Sequence, residues 1–114
     1  MDDCLFCKIV NKEINADIIK ENKNAIAFKD INPVAPFHIL VIPKAHIQSI
    51  MDLDENNSYL ISEIVELAND VSRNILKINN GSRWVINSGK DGGQTVFHLH
   101  LHLIAGRKLG WPPG

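Results

Sequence analysis

The 114-residue sequence has little of what marks secreted, membrane or nucleic-acid-binding proteins. Its two cysteines are too few for the disulfide framework of a small secreted domain. No apolar run approaches the roughly 20 residues that a membrane helix needs, and the start, MDDCLFCKIV, lacks the basic region of a signal peptide. The 12 Lys and Arg against 13 Asp and Glu predict no broad basic face for a nucleic-acid backbone. We therefore expect one domain, residues 1–114, in a reducing compartment such as the cytoplasm, with neither a membrane nor a nucleic acid as partner.

Apolar spacing predicts one short and one long helix. Residues 4–11 form the short segment, with an apolar side near the amino terminus. Residues 57–78 carry apolar side chains at the three-to-four spacing of one helical face, namely Leu60, Ile64, Leu67, Val71, Ile75 and Ile78. Asp52 and Glu55 fit a capping box ahead of this helix, and Gly81 suits a left-handed turn after it.

Five segments have the length and composition of strands: Ile18–Glu21, Ala25–Lys29, 38–42, 82–87 and 95–104. The first two flank a polar turn and indicate a hairpin, whereas the prolines of residues 30–36 and the glycines of residues 88–94 predict loops. Because strands and helices do not alternate as βαβ units, we expect an α+β fold. It would have a mainly antiparallel five-stranded sheet, one long helix and a short N-terminal helix.

The last predicted strand contains His98, His100 and His102, which alternate with leucines. A period of two places the three imidazoles on one face of the sheet, roughly 6.6 Å apart. One imidazole can then act as a nucleophile while its neighbour hydrogen-bonds the group under attack. An ordinary pKa of about 6.5 leaves a neutral nitrogen for this role. A metal-binding comb and a purely structural role are the alternatives.

These residues resemble the histidine-triad (HIT) family, in which histidines alternate with apolar residues. Segments 30–38, 40–46, 87–89, 92–95 and 111–114 are also similar to its Hint branch, and the Cys4-x-x-Cys7 pair is similar to bacterial-type members. The resemblance extends from Cys4 to Gly114. Thr95 departs from the pattern, since a serine is more usual there. Threonine keeps the hydroxyl and adds a methyl group.

The resemblance implies a nucleotide hydrolase similar to the purine nucleoside phosphoramidases. His100 would attack the α-phosphorus of a nucleoside phosphoramidate or a related conjugate and form a nucleotidyl-histidine intermediate. His102 would hold a non-bridging phosphate oxygen, and the Thr95 hydroxyl would lie near the leaving group. His38 matches the histidine that supports the triad.

The resemblance also implies how the nucleotide binds. The phosphate and ribose would contact Asn87, the backbone around Gln94 and Thr95, and Asp30, whose carboxylate can accept both ribose hydroxyls. A purine base would occupy an apolar slot lined by Leu5, Phe6, Ile9, Phe28, Ile31 and Leu40. The alternative is that these side chains are ordinary core.

Cys4 and Cys7 raise a separate question, because a redox CxxC pair normally follows a strand and only three residues precede Cys4. Some bacterial-type members and the related uridylyltransferases have a similar arrangement, in which zinc is held by two cysteines, the histidine after the Pro-Lys turn and the first triad histidine. The resemblance implies a closed structural zinc site made of Cys4, Cys7, His46 and His98. A pair of buried free thiols is the alternative.

Three features predict a two-fold homodimer with a sheet that continues across both subunits. The long helix carries a second apolar stripe, Ile61, Val65 and Ala68, which is either a partner surface or part of one wide buried face. Segment 82–87 can lie at a sheet edge. The tail 111–114 resembles the tail that dimeric Hint proteins place near the partner's active site. A dinucleoside polyphosphate hydrolase and a nucleotide-binding adaptor or regulator are the other functions that stay open.

Overall fold

One five-stranded antiparallel sheet organises the chain, and the computed structural model describes residues 3–114. The strands are β1 (Ile18–Glu21), β2 (Ala25–Lys29), β3 (Phe37–Pro43), β4 (Ser82–Val85) and β5 (Leu101–Ala105), in the spatial order β1-β2-β3-β5-β4. The helices are α1 (Leu5–Val10) and α2 (Tyr59–Asp70), and a 3₁₀ turn spans Ile50–Asp52. The expected α+β architecture is confirmed.

The β1–β2 hairpin has the bounds that the sequence predicts. Asn22 makes its turn, because the side-chain oxygen accepts the backbone N–H groups of Asn24 at 3.0 Å and Ala25 at 2.8 Å. An asparagine side chain that bonds its own backbone in this way imitates a turn and reverses the chain. The hairpin places β2 against β3 in the centre of the sheet.

The central strand β3 is buried on both faces from His38 to Pro43. Its alternating side chains enter two separate apolar clusters. Ile39 and Val41 pack with α2 and with leucines of the carboxyl-terminal segment. Leu40 and Ile42 pack on the opposite face with β2 and α1, in a cluster completed by Phe6, Ile9, Ile26 and Phe28. The sheet therefore lies between the long helix and the short N-terminal one.

The long helix is shorter than the predicted residues 57–78. Regular α-helix ends at Asp70 and continues as a π-helical turn, Val71–Ile75. At this junction the Ser72 hydroxyl donates to the Ala68 carbonyl at 2.8 Å, a bond that competes with the helical ladder. Ile75 is 43% exposed, so the buried stripe does not extend to the predicted end.

The predicted capping box of Asp52 and Glu55 is wrong. Asp52 instead forms a capping box with Ser49 around the 3₁₀ turn, and α2 begins after Ser58, whose side chain makes no capping bond. Asp52 therefore takes the third position of a box that caps the short turn, and Glu55 has no part in it. Gly81 has a φ of 94°, as its left-handed role requires, and lies in the turn before β4.

Both carboxyl-terminal strands are shorter than predicted. β5 begins at Leu101 instead of residue 95, and β4 ends at Val85 instead of residue 87. Val85 pairs with His102, so Leu101 and the residues that precede it have no partner in β4. On its other side the pairing with β3 ends at Val41 and Leu101. Residues 95–100 therefore approach β5 outside its hydrogen-bonded ladder.

The second apolar stripe of α2 is mostly covered by this chain's own core. Ala68 is fully buried in the cluster beneath α2, and Ile61 packs against the same cluster. Val65, at 37% exposure, is the member that faces outward. One wide buried face therefore explains the stripe better than a partner surface. Within residues 3–114 no helix has the length and apolar character to cross a membrane.

Candidate active site and metal centre

The three histidines of residues 95–104 share one face, although only His102 lies in a strand. Leu99, Leu101 and Leu103 are buried in the cluster beneath α2, so the alternating histidines point away from it. The rings of His100 and His102 have centroids 4.9 Å apart. His98 and His100 are buried, and His102 is half-buried. Side-chain alternation thus survives where the predicted strand does not.

His100 is held in one tautomer by a backbone group. Its Nδ1 lies 2.7 Å from the carbonyl oxygen of His98. Because a carbonyl only accepts, Nδ1 must carry the hydrogen and Nε2 must carry the lone pair. Burial lowers the pKa of His100, which favours the neutral ring. The ring of Phe6 meets that of His100 edge-on, with centroids 5.1 Å apart.

A hydrogen bond from His38 fixes the tautomer of His102. The Val34 N–H donates to His38 Nδ1 at 3.1 Å, so the His38 hydrogen lies on Nε2. That nitrogen is 2.9 Å from His102 Nδ1, which therefore accepts and leaves the His102 hydrogen on Nε2. Burial, followed by the neighbouring His100 and His38, lowers the pKa of His102 to about 4. His102 is then a neutral hydrogen-bond donor at neutral pH.

Asp30 completes this group at the end of β2. Its Oδ2 is 3.4 Å from His38 Nε2, and its Oδ1 accepts the Asn32 N–H at 2.8 Å. We call Asp30, His38 and His102 the relay. Donor atoms of the three residues lie within 4.8 Å of one another.

Gln94 supports the glycine-rich loop from inside. It is buried, and its amide nitrogen donates to the carbonyls of Gln48 at 2.7 Å and Val96 at 3.1 Å. Its side-chain oxygen accepts the Gly89 N–H at 2.9 Å. A Cβ on Gly92 would lie 2.6 Å from the Ser88 carbonyl oxygen, so only glycine fits there. Asn87 is half-buried ahead of the loop, and Thr95 is exposed after it.

The six residues predicted to line the base slot divide into two groups. Four belong to the cluster between the sheet and α1, namely Phe6, Ile9, Phe28 and Leu40. Within it the rings of Phe6 and Phe28 pack edge-on at 5.5 Å. Leu5 and Ile31 are exposed, at 46% and 89%. The structure brings the first four together and leaves the other two facing outward.

Four side chains of types that can bind a metal ion meet beside α1, and we call them the metal cluster: Cys4, Cys7, His46 and His98. Their donor atoms lie within 4.8 Å of one another. Cys4 Sγ is 3.4 Å from His98 Nδ1, and Cys7 Sγ is 3.2 Å from His46 Nδ1. The two Nδ1 atoms are 3.2 Å apart.

The tautomer of His98 fits a metal at this cluster. Its Nε2 lies 2.8 Å from the Pro43 carbonyl oxygen and must carry the hydrogen, so the Nδ1 lone pair faces the other three donors. Burial lowers the pKa of His98 to about 4, which favours the neutral ring that can offer this lone pair. Two sulfurs and two imidazole nitrogens form the donor set that suits tetrahedral zinc.

Several groups that define the site are backbone atoms that the sequence analysis missed. The carbonyls of Pro43 and His98 and the N–H of Val34 fix the tautomers of three histidines. Residue identity gives no signal for such groups, since every residue has a carbonyl. They become visible only when the fold places them against a ring nitrogen.

Comparisons with known proteins agree with this geometry. The family model described as "Scavenger mRNA decapping enzyme C-term binding" matches residues 3–110. HIT-like proteins of Synechococcus elongatus and Synechocystis are each 42% identical over 113 residues, covering 99% of this chain and 98% of theirs.

Solved structures are similar over almost the whole chain. A HIT family hydrolase from Legionella pneumophila is 46% identical with a TM-score of 0.93, covering 98% of this chain and 100% of that one. A histidine triad protein from Clostridium difficile is 42% identical with a TM-score of 0.93, covering 96% of both chains. On the family model, these relatives and the triad geometry, the chain belongs to the histidine-triad family.

Proposed function

We propose that this protein is a nucleotide hydrolase of the Hint type, which cleaves a purine nucleoside 5′-monophosphate from an amine or another leaving group with His100 as its nucleophile. The single observation that carries the proposal is the 2.7 Å bond from His100 Nδ1–H to the His98 carbonyl, which leaves a lone pair on Nε2. Hydrolase chemistry is supported by the HIT family hydrolases from Legionella pneumophila and Clostridium thermocellum, which resemble this chain at 46% and 43% identity.

The reaction proceeds in two displacements. His100 Nε2 attacks the α-phosphorus, an N–P bond forms, and the bond from phosphorus to the leaving group breaks. The ring becomes positively charged, and the His98 carbonyl stabilises it by accepting the Nδ1–H. The leaving amine takes up a proton, and the Thr95 hydroxyl is the group proposed to deliver it. Water then attacks phosphorus, one of its protons returns to the Thr95 oxygen, and the N–P bond breaks. This step releases the nucleoside monophosphate and restores neutral His100.

The proposed phosphate contacts follow from the tautomers. His102 directs its Nε2–H to a non-bridging α-phosphate oxygen, where negative charge increases in the transition state. Asn87 and the backbone around Gln94 and Thr95 supply further donors. The side chain of Gln94 bonds to the loop and its backbone N–H donates to the Gly89 carbonyl at 3.0 Å, so Gln94 shapes this segment and the Thr95 N–H is the backbone donor proposed for the phosphate.

Ribose and base binding use the surface between β2 and α1. Each oxygen of Asp30 has one protein neighbour, so each keeps a second lone-pair direction for a ribose hydroxyl. Phe6, Ile9, Phe28 and Leu40 are only 3–6% exposed, so the base would touch the edge of this buried cluster. The exposed side chains of Leu5 and Ile31 would be covered when a purine binds.

Zinc is the proposed occupant of the metal cluster, held by Cys4, Cys7, His46 and His98. When bound, it supplies a closed four-ligand link between α1 and the sheet, with no open position for a substrate. Cys4 and Cys7 are free thiols, which is consistent with a reducing compartment, so we propose a cytoplasmic location.

A homodimer is proposed on the position of β4 at the edge of the sheet. A two-fold axis beside this strand would continue the sheet into the partner. The tail is held near the same strand, because Arg83 Nη2 donates to the Gly110 carbonyl at 2.5 Å, while Trp111 is 83% exposed. Light scattering at micromolar concentration should give twice the 12.8 kDa of one chain, and a monomer mass would contradict the proposal.

The variant His100→Asn tests the nucleophile. The asparagine amide can still donate to the His98 carbonyl, so packing and fold should persist while the attacking nitrogen is lost. Turnover of a fluorogenic adenosine phosphoramidate should vanish, with AMP affinity within about tenfold of wild type. Mass spectrometry of quenched wild-type protein should detect a nucleotidyl adduct that the variant lacks. More than a few per cent residual activity would remove His100 from the central role.

A substrate screen separates the other candidates. A dinucleoside polyphosphate hydrolase is the second enzymatic candidate, favoured by the match to a decapping-enzyme domain. It would turn over dinucleotides faster than phosphoramidates. Tight AMP binding without turnover of either substrate class would instead support a nucleotide-binding adaptor.

A further inference from the structure

His98 connects the metal cluster to the nucleophile. Its side chain is fully buried, with Nδ1 among the cluster donors and the Nε2–H on the Pro43 carbonyl. Its own carbonyl accepts the Nδ1–H of His100. The group that fixes the tautomer of His100 therefore belongs to a residue whose side chain is a cluster donor.

Phe6 provides a second connection. It lies in α1 between Cys4 and Cys7 and is 4% exposed. Its ring meets His100 at 5.1 Å with the planes at 86°, and it meets His98 at 6.0 Å. A helix of six residues has little stability of its own. The position of Phe6 against His100 is therefore set by the apolar cluster around its ring together with whatever holds the two cysteines on either side of it.

The segment that carries His100 needs such support because it lies outside the strand ladder. β5 begins at Leu101, one residue later. The backbone there is tied by the Leu99 N–H, which donates to the Ile47 carbonyl at 2.7 Å. Ladder bonds hold His102, whereas the His100 ring is held by a carbonyl on one side and by Phe6 on another.

We infer that His98 and Phe6 are positioning residues for His100, and that a zinc ion at the metal cluster fixes both of them. Bound metal keeps the His100 imidazole in one tautomer and one orientation, although it touches neither His100 nor the substrate. The kinetic consequence rests on the proposed hydrolase function, but the structural consequence does not. The metal centre then has two roles: it positions the catalytic histidine, and it links α1 to the segments that carry His46 and His98.

The variant Phe6→Leu tests the inference in the zinc-loaded protein, because it retains all four cluster donors. Nitrogen-15 NMR of the imidazole rings should show wild-type His100 with hydrogen on Nδ1 and the variant with a mixture of tautomers. Zinc should stay at about one per chain, with kcat lowered about tenfold and KM within about threefold. Unchanged kcat and ring spectra, with only KM affected, would assign Phe6 to the base slot alone and overturn the inference.

Ile26→Val is the matched control. It trims a fully buried side chain of the same apolar cluster, and Ile26 has no assigned role in binding or catalysis. Zinc content, the His100 ring signals and kcat should all match those of wild type. A loss of kcat equal to that of Phe6→Leu would show that general loosening of the cluster is responsible, which contradicts a specific role for Phe6.

Removal and return of zinc complete the test without any substrate. In chelator-treated full-length protein the Nδ1–H tautomer of His100 should become mixed, and zinc alone should restore it. A folded metal-free protein with unchanged ring signals would overturn the inference. If metal-free protein unfolds, the Phe6→Leu result decides. Zinc-dependent ring signals in a protein that hydrolyses no nucleotide would refute the proposed function and leave the positioning role intact.

Discussion

The metal cluster and the relay each contain two histidines, but backbone groups fix one histidine of each in opposite tautomers. Both bring their donor atoms within 4.8 Å. In the metal cluster, the Pro43 carbonyl takes the Nε2–H of His98 and turns a lone pair toward the other donors. In the relay, the Val34 N–H donates to His38 Nδ1, so the His38 hydrogen is on Nε2 and points toward His102. A cluster that presents lone pairs suits a cation, and one that presents a hydrogen suits a proton-donor chain.

The largest effect is expected from breaking the metal cluster. Cys7→Ser should lower the zinc content from about one per chain to near zero. If wild-type zinc stands at 100 times its Kd, the lost binding removes about 2.7 kcal/mol and lowers Tm by about 10 °C. Elemental analysis and thermal unfolding measure both. The matched change in the relay, Asp30→Asn, should retain one zinc per chain. Zinc that disappears from Asp30→Asn and persists in Cys7→Ser would reverse the assignment of the two clusters.

The next effect concerns the relay. His38→Ala removes the donor that fixes the tautomer of His102, and we expect kcat to fall about a hundredfold, as when one oxyanion donor is lost. His38→Gln offers an amide N–H near the position of Nε2 and should recover part of the rate. Neither variant should change the zinc content. A His38→Ala protein with nearly wild-type kcat would show that His102 needs no partner.

The smallest effect tests charges beside the metal cluster. Glu21 pairs with Lys12 and Lys44, each at 2.7 Å, and these bonds lower its pKa to about 2. Since the folded-state pKa lies below the ordinary 4.5, ionised Glu21 stabilises the fold above about pH 4.5. That contribution is lost as the pH falls to about 2.

Glu21→Gln should therefore lower stability at pH 7 by less than about 1 kcal/mol, because both pairs are near the surface. The difference from wild type should shrink as the medium is acidified, and denaturant unfolding at several pH values measures it. Zinc content should not change, although Lys44 lies two residues from His46. A stability difference that grows toward acid pH would contradict the role given to this carboxylate.

Much of the fold follows from local sequence patterns. The Asn22 turn and the apolar run of β3 predict their elements because both signals are short-range. The residues at which helices and strands end are less predictable. Regular α2 ends at Asp70, next to the Ser72 hydroxyl, whose bond to the Ala68 carbonyl competes with the helical hydrogen bonds. The start of β5 depends on where its neighbours end, which is a property of the assembled sheet.

The candidate site divides in the same way. Side-chain alternation predicts that His98, His100 and His102 share a face, and this holds even where the strand does not. The assignment of hydrogens does not follow from the sequence, since it depends on carbonyl and N–H groups brought from β3 and its preceding loop. The exposure of Leu5 and Ile31 could not be predicted either, because the sequence does not distinguish apolar residues around a ligand from apolar residues in a core.

Strand β3 fixes the separation of the two clusters, since it carries His38 near one end and the Pro43 carbonyl at the other. Single substitutions within it alter volume and packing. Deletion or insertion of one residue would exchange the two sets of side chains between opposite faces of the sheet. The same change would turn His38 away from His102 or withdraw the carbonyl from His98. The length of this strand should therefore tolerate no change, even where its apolar residues can be exchanged for others of similar size.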